Sequence, residues 1–202
     1  MGLQIQDGKG RGFLAKVDAE NFLDTRSVTS TEENHVAIAD GQTYFANTAD
    51  TANTLTTATG NTYNLLYLEN NSSTKVIVIE KIVASYSVAG GIFIFQKNMT
   101  LGTASANNVH APVNTNFSSG NVADVVCHNW DESGTTGIGG LSGGTVMKTF
   151  ITAAGTVFYP IDGFVVLGQG DNIVLRYNNG TGGNVEVEAG IRFYFLDESI
   201  IG

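Results

Sequence analysis

Residues 185–195 alternate between apolar and polar positions. Apolar side chains occupy every second position from Val185 to Phe195, and Glu186, Glu188 and Arg192 lie between them. Successive side chains of a strand point to opposite faces of a sheet, whereas a helix would mix the two sets. The pattern therefore predicts a strand with one face turned toward a core.

Further segments rich in β-branched and aromatic residues are separated by turn-forming residues, and we predict strands at 63–68, 75–88, 92–97, 122–127, 145–152, 157–159 with 164–167, and 172–177. The turn Gly168–Asp171 precedes the last of these, and Asn178–Gly180 ends it, which predicts a hairpin with 185–195. Many short strands with frequent turns are typical of an antiparallel sandwich or barrel. The sequence contains no repeat with a period of 20 to 50 residues, so a propeller or a β-helix is not indicated.

The first sixty residues have a different pattern. Ser30 and Glu33 form a capping box, which predicts a short helix over 32–40 that ends at Gly41. The stretch 47–61 is rich in Thr, Ala and Asn and is typical of a linker. We therefore predict an N-terminal arm and linker over 1–60 and a β-sandwich domain over 61–202.

Charge and cysteine content exclude several functional classes. The 202 residues include 10 Lys and Arg against 19 Asp and Glu, a net charge of −9 that opposes binding to nucleic acid. The one cysteine, Cys127, allows no internal disulfide and no zinc site of the paired-cysteine type.

The first residues lack the apolar core of a signal peptide, and no apolar run reaches about 18 residues. We expect a soluble product of a cytosol that does not bind membranes.

The stretch 98–147 contains no Lys or Arg and three acidic residues, Asp124, Asp131 and Glu132. Depletion of charge is a mark of interface cores, so long loops in this stretch are candidates for packing against sister subunits. The alternative is a set of polar surface loops rich in Gly, Asn and Ser. The sequence does not decide between the two.

No catalytic, metal-binding or cofactor-binding set is predicted, so we do not expect an enzyme. Cys127 and His128 are adjacent on a predicted strand and would point to opposite faces, which prevents a catalytic dyad. The Gly-rich run 133–144 lacks the Gly-Lys-Ser/Thr of a phosphate loop. Trp130 is the only Trp and lies in a polar loop, so we consider it a candidate contact residue of a binding or subunit interface.

The opening of the chain carries a resemblance. Its residues Asp7-Gly8-Lys9-Gly10, Ala15-Lys16-Val17-Asp18, Asn21-Phe22-Leu23-Asp24-Thr25 and Gly41-Gln42-Thr43-Tyr44-Phe45 resemble the start of tailed-bacteriophage virion proteins of the capsid decoration, or cement, kind. The resemblance covers roughly the first 45 residues. It implies an all-β protein with a jelly-roll-like body, a homotrimer on the virion's capsid surface, and an extended arm, with one short helix, that docks on the major capsid protein.

Two groups of arm residues would carry this docking. Lys9, Arg11, Lys16 and Arg26 are four of the ten basic residues and would steer the arm toward an acidic capsid. Apolar side chains would supply burial, namely Phe13, Leu14, Val17, Phe22 and Leu23. Synthesis in the host cytoplasm follows from this assignment. The alternative function is a host-surface glycan-binding module of a fibre or baseplate that uses loops such as 129–144, with Trp130 at the contact.

Overall fold

The computed structural model describes residues 4–6, 12–14, 16–17, 23–24, 41–48, 53–55, 62–102, 109–130, 138–151, 154–180 and 183–198. The chain divides into two compact units, Met1–Thr31 and Glu32–Gly202. The predicted helix over 32–40 lies outside the described residues.

The first unit contains two short antiparallel ladders. Strand β1 (Gln4–Gln6) pairs with β2 (Gly12–Leu14), and β3 (Lys16–Val17) pairs with β4 (Leu23–Asp24). In the backbone register of these ladders Ile5 pairs with Phe13, and Val17 pairs with Leu23. Segments of the arm thus pair locally within the unit.

The second unit is built from eleven strands in its described part. They are β5 (Thr43–Asn47), β6 (Asn53–Leu55), β7 (Thr62–Asn70), β8 (Lys75–Tyr86), β9 (Ile92–Leu101), β10 (Val113–Asn114), β11 (Val125–Asn129), β12 (Leu141–Ile151), β13 (Gly155–Leu167), β14 (Asn172–Asn178) and β15 (Val185–Asp197). Every pairing between them is antiparallel. The prediction of an all-β, antiparallel architecture is confirmed.

The strands form two sheets. The first sheet has the order β10-β5-β15-β8-β13, with β6 also pairing with β15, and the second has the order β11-β7-β14-β9-β12. Strands β14 and β15 therefore lie in different sheets, and the predicted hairpin between them is wrong. The chain therefore passes from the second sheet to the first between β14 and β15.

One hydrophobic core lies between the sheets. Every second residue of β15 from Val185 to Phe195 belongs to it, as the alternation predicts. Aromatic side chains pack within the core: Tyr44 and Phe193 stack on neighbouring strands of the first sheet, with ring centroids 5.6 Å apart. Tyr86 and Tyr177 stack across the two sheets, with ring centroids 5.5 Å apart. Each fully buried large side chain contributes about 1.5–3 kcal/mol relative to an exposed one. The sandwich is therefore held chiefly by apolar contact between its sheets.

Strand β5 is part of this body although the sequence boundary near Gly60 assigns it to the arm. Its Tyr44 and Ala46 are fully buried in the core. Its backbone pairs with β15 from Gly190 to Tyr194. Any truncation that reaches Thr43 would therefore remove core residues and a central ladder of the first sheet.

The outer face of the second sheet carries a smaller apolar cluster and a line of polar contacts. Tyr67, Met99, Val174 and Ile138 form the cluster. Beside it, the Arg176 guanidinium donates to Asn64 Oδ1 at 2.8 Å and to Gln96 Oε1 at 2.7 Å. Partial burial lowers the pKa of Arg176. Residues that would otherwise lie exposed on this face are thus covered or paired.

Strand β12 is one of the two edge strands of the second sheet in the described part of the chain, and it is irregular. Gly143 and Gly144 have φ of 70° and 81°, and the register with β9 shifts between Val146 and Lys148. A Cβ on Gly144 would lie 2.6 Å from Met99 Cγ and 2.8 Å from the Lys97 carbonyl oxygen, whereas one on Gly143 would meet nothing within 4 Å. Bulges and bends of this kind protect an edge from pairing with another strand.

Candidate interaction surface

The charge-poor stretch forms the connection between β9 and β12. This connection adds β10 beside β5 in the first sheet and β11 beside β7 in the second sheet. His110 N donates to the Cys127 carbonyl oxygen at 2.9 Å, which ties the two halves of the connection together. Part of this stretch therefore extends the chain's own two sheets at one edge.

Trp130 belongs to the interior. Its side chain is 3% exposed and stacks on Tyr63, with ring centroids 5.8 Å apart. Its backbone N–H donates to the Leu65 carbonyl oxygen at 2.9 Å. The expectation that Trp130 is an exposed contact residue is wrong, because the chain after β11 turns inward and fills the core beside β7.

The Cys127 and His128 side chains are both buried but lie in different surroundings. Cys127 belongs to the core between the sheets, and burial raises the pKa of its thiol. The His128 ring meets the edge of Tyr67, with centroids 6.1 Å apart. Tyr67 OH donates to a Glu69 carboxylate oxygen. The described residues include no group of three His, Cys, Asp or Glu that would hold a metal ion.

The same connection exposes four large apolar side chains within the uncharged, partly polar segment 109–122, which we call the Phe117 surface. Phe117 is 93% exposed, Val122 81%, Val109 66% and Val113 55%. The other exposed large apolar side chains of the described residues are 38% to 51% exposed. Residues 109–122 contain no Lys, Arg, Asp or Glu. The most exposed apolar side chains of the described body are thus grouped in one uncharged segment.

Side-chain hydrogen bonds fix the turn that carries Phe117. Asn114 Oδ1 accepts a hydrogen bond from the backbone N–H of Asn116 at 2.9 Å, and Asn116 Oδ1 accepts one from the backbone N–H of Ser118 at 3.1 Å. The Ser119 amide donates to the Asn116 carbonyl oxygen at 2.9 Å. Tight turns are defined by Asn and Ser side chains that form hydrogen bonds with the backbone two residues later in the chain. Phe117 is therefore held at the tip of a structured turn.

The turn is also attached to the segment that leads into β5. Asn114 Nδ2 donates to the Gly41 carbonyl oxygen at 2.7 Å, and the Thr115 amide donates to the Thr43 carbonyl oxygen at 2.8 Å. Ser119 leaves no room for a side chain at Gly41, where a Cβ would lie 2.6 Å from Ser119 Cβ. These contacts join the Phe117 surface to the body of the sandwich.

A recess of about 300 Å³ adjoins this surface. Asn121 and Val122 form one side of it, and Phe195 from β15 lies at its wall. The remaining lining residues are polar or charged, namely Gln42, Ser72, Thr74, Lys75 and Asp124. A volume of this size is at the small end of ligand sites, which range over about 300–1,000 Å³. One protruding side chain would occupy it better than an extended ligand.

The arm residues selected from the sequence are only partly described. Phe13 and Leu14 lie on β2, Lys16 and Val17 on β3, and Leu23 on β4. The remaining arm residues lie outside the described part of the chain, namely Lys9, Arg11, Phe22 and Arg26. The docking role of all nine residues stays a prediction.

Sequence reasoning did not find Phe117. A local signal was present, because Phe117 is flanked by Asn114-Thr115-Asn116 and Ser118-Ser119-Gly120, which are turn formers and not strand formers. The flanks of Trp130 also predict a loop although Trp130 is buried, so this local signal does not distinguish an exposed loop aromatic from a buried one.

No family model matches this chain, and no curated protein matches it. Among solved structures it is similar to the infectious bursal disease virus VP2 subviral particle and to the Gt strain of that virus, each at 16% identity over 79% of this chain and 43% of that chain, with a TM-score of 0.23. Particles with T=1 derived from the same virus show 18% identity over 77% and 40% of the two chains, also at 0.23. The chain spans less than half the length of these proteins. With TM-scores this low, the similarities assign neither a fold nor a function to the chain.

Within the described residues, no helix has the length and apolar character to cross a membrane.

Proposed function

We propose that this chain is a structural virion protein of a tailed bacteriophage that decorates and stabilises the outside of the capsid. In this proposal the N-terminal arm binds the major capsid protein, and the body associates with other copies of itself as a trimer. The protein performs no chemical reaction.

The strand order is the observation that carries this proposal. Strands β5-β15-β8-β13 of one sheet face β7-β14-β9-β12 of the other. Eight antiparallel strands arranged in this alternating order match a jelly roll, an architecture found in viral capsid proteins, lectins and cupins. We assign the body to this architecture, and the resemblance of the first 45 residues to decoration proteins favours the virion among these classes.

A further observation supports a role in adhesion to protein surfaces. The Phe117 surface exposes four large apolar side chains, contains no Lys, Arg, Asp or Glu and is held in a defined conformation, as expected for a preformed contact. The glycan-binding alternative relied on Trp130, which is buried, so we do not propose it as a second function.

The arm is tested by deletion of residues 1–31, which leaves the second unit whole. A deletion as long as 1–45 would be uninformative because it cuts into β5 (Thr43–Asn47). The full chain and the truncated chain are mixed with undecorated capsids of the same virus and sedimented. We expect the full chain to pellet with the capsids and the truncated chain, folded by circular dichroism, to stay in the supernatant.

A full-length variant controls for the loss of mass. Lys9, Arg11, Lys16 and Arg26 are replaced together by Ser, while three basic residues of the body outside the recess, Lys81, Lys97 and Lys148, are replaced together in the control. We expect the arm variant to bind capsids more weakly, with a smaller dependence on salt, because salt weakens charge attraction beyond a Debye length of about 8 Å at about 0.15 M ionic strength and the variant has four fewer charges to screen. Pelleting of the truncated chain at undiminished affinity would refute the docking role of the arm.

A further inference from the structure

We infer that the Phe117 surface is a self-association contact, in which Phe117 of one copy enters the recess beside Phe195 of a second copy. The inference deepens the self-association in the proposed function and assigns it to named residues. It rests on the exposure of Phe117, the fixed turn that carries it, the uncharged segment around it and the adjoining recess.

The exposure of Phe117 calls for a partner. A side chain 93% exposed places nearly all of its aromatic surface in water, and hydrogen bonds on both sides of Phe117 define the backbone turn that carries it. Burial of an aromatic side chain removes about 150–250 Å² from water, against roughly 800 Å² per partner in a standard interface. Phe117 would thus act as the central anchor, and Val113 and Val122 would extend the contact.

Charge favours a second copy as the occupant. The chain carries a net charge of −9, so two copies repel each other unless their contact surfaces are neutral. Residues 109–122 carry no charged side chain, which removes this repulsion from the contact itself. A strongly basic or acidic partner would instead be met by charges of opposite sign. The recess that would receive Phe117 is lined by one basic and one acidic side chain, Lys75 and Asp124, so their formal charges cancel and the recess adds no net repulsion.

The recess is the complementary part on the same chain. It has a volume of about 300 Å³, with Phe195 at its wall and Val122 at its side. Phe117 does not fill the recess of its own copy, since its side chain is almost wholly exposed. One protrusion and one recess on each copy can join copies in succession until a ring closes. Such a ring agrees with the trimer proposed above.

The test measures self-association by sedimentation velocity over a range of concentrations, without capsids. We expect the wild-type chain to form an oligomer and Phe117→Ala to raise its dissociation constant about 30-fold or more, the size of a hot-spot loss. Phe117→Leu should lose less because it keeps apolar volume. Val88→Ala, at a residue 40% exposed and outside both surfaces, is the matched control and should change nothing.

A second variant tests the recess. Thr74 is exposed and lines the recess, so Thr74→Trp fills it without changing charge and should also abolish association. When the two defective variants are mixed, the intact Phe117 of one can enter the intact recess of the other, and a mixed dimer should appear. A monomeric wild-type chain, unchanged association of either variant, or no recovery on mixing would overturn the inference. None of these outcomes bears on arm-dependent pelleting, which tests the capsid-docking proposal separately.

Discussion

Replacement of Trp130 tests whether this residue belongs to the core or to a contact surface. A buried Trp removes about 200 Å² from water, worth about 5 kcal/mol at about 25 cal/mol per Å². In Trp130→Ala only a methyl group remains of the buried side chain, so the free energy of unfolding should fall by about 3–5 kcal/mol. Trp130→Phe keeps a ring against Tyr63 and should cost about 1–2 kcal/mol. A domain stability of about 5–15 kcal/mol makes the first loss severe.

Urea unfolding followed by circular dichroism measures these losses. With an m-value of about 1–3 kcal/mol per M, Trp130→Ala should lower the urea midpoint by roughly 1–5 M. Because Trp130 is the only Trp, its native fluorescence reports on this side chain alone, and we expect it to resist acrylamide quenching until the chain unfolds. A loss below about 1 kcal/mol, or quenching as fast as in the unfolded chain, would refute its placement in the core.

Three further predictions follow from the buried groups and the edge strand. The Cys127 thiol, whose pKa burial raises, should resist alkylation at pH 8 and react once urea unfolds the chain, with mass spectrometry as the readout. Burial and Glu69 raise the pKa of Tyr67, so stability should be intact below about pH 10 and decline above it as the unfolded-state phenol ionises, which urea midpoints at several pH values would show. Gly144→Ala should destabilise more than Gly143→Ala in thermal melts, because both add backbone strain of about 1–2 kcal/mol and only Gly144 adds steric conflict.

The strands themselves were predictable because their signal is local. The alternation in 185–195 and the β-branched runs of 63–68 and 75–88 each fix a strand and its core face within a few residues. Strand order was not predictable, because β14 and β15 are joined by a turn that looks like a hairpin. Whether neighbouring strands pair or separate into opposite sheets depends on apolar faces contributed by distant segments.

The candidate contact surface also depends on contacts between distant parts of the sequence, which local patterns do not indicate. Trp130 is buried through Tyr63 and Leu65, more than sixty positions earlier in the chain, and nothing in its own flanks indicates that partner. Phe117 is exposed because its turn is tied to Gly41 and Thr43, about as far away. Long-range contacts thus determine which of two loop aromatics faces water.

Electron cryomicroscopy of undecorated capsids mixed with the purified chain is the most direct test of the structural role. The account predicts added density of β-sandwich size at every equivalent outer site, with the arm segment lying on the major capsid protein. Capsids that stay bare at a large excess of the full chain, or density present only on tail fibres or baseplates, would contradict it.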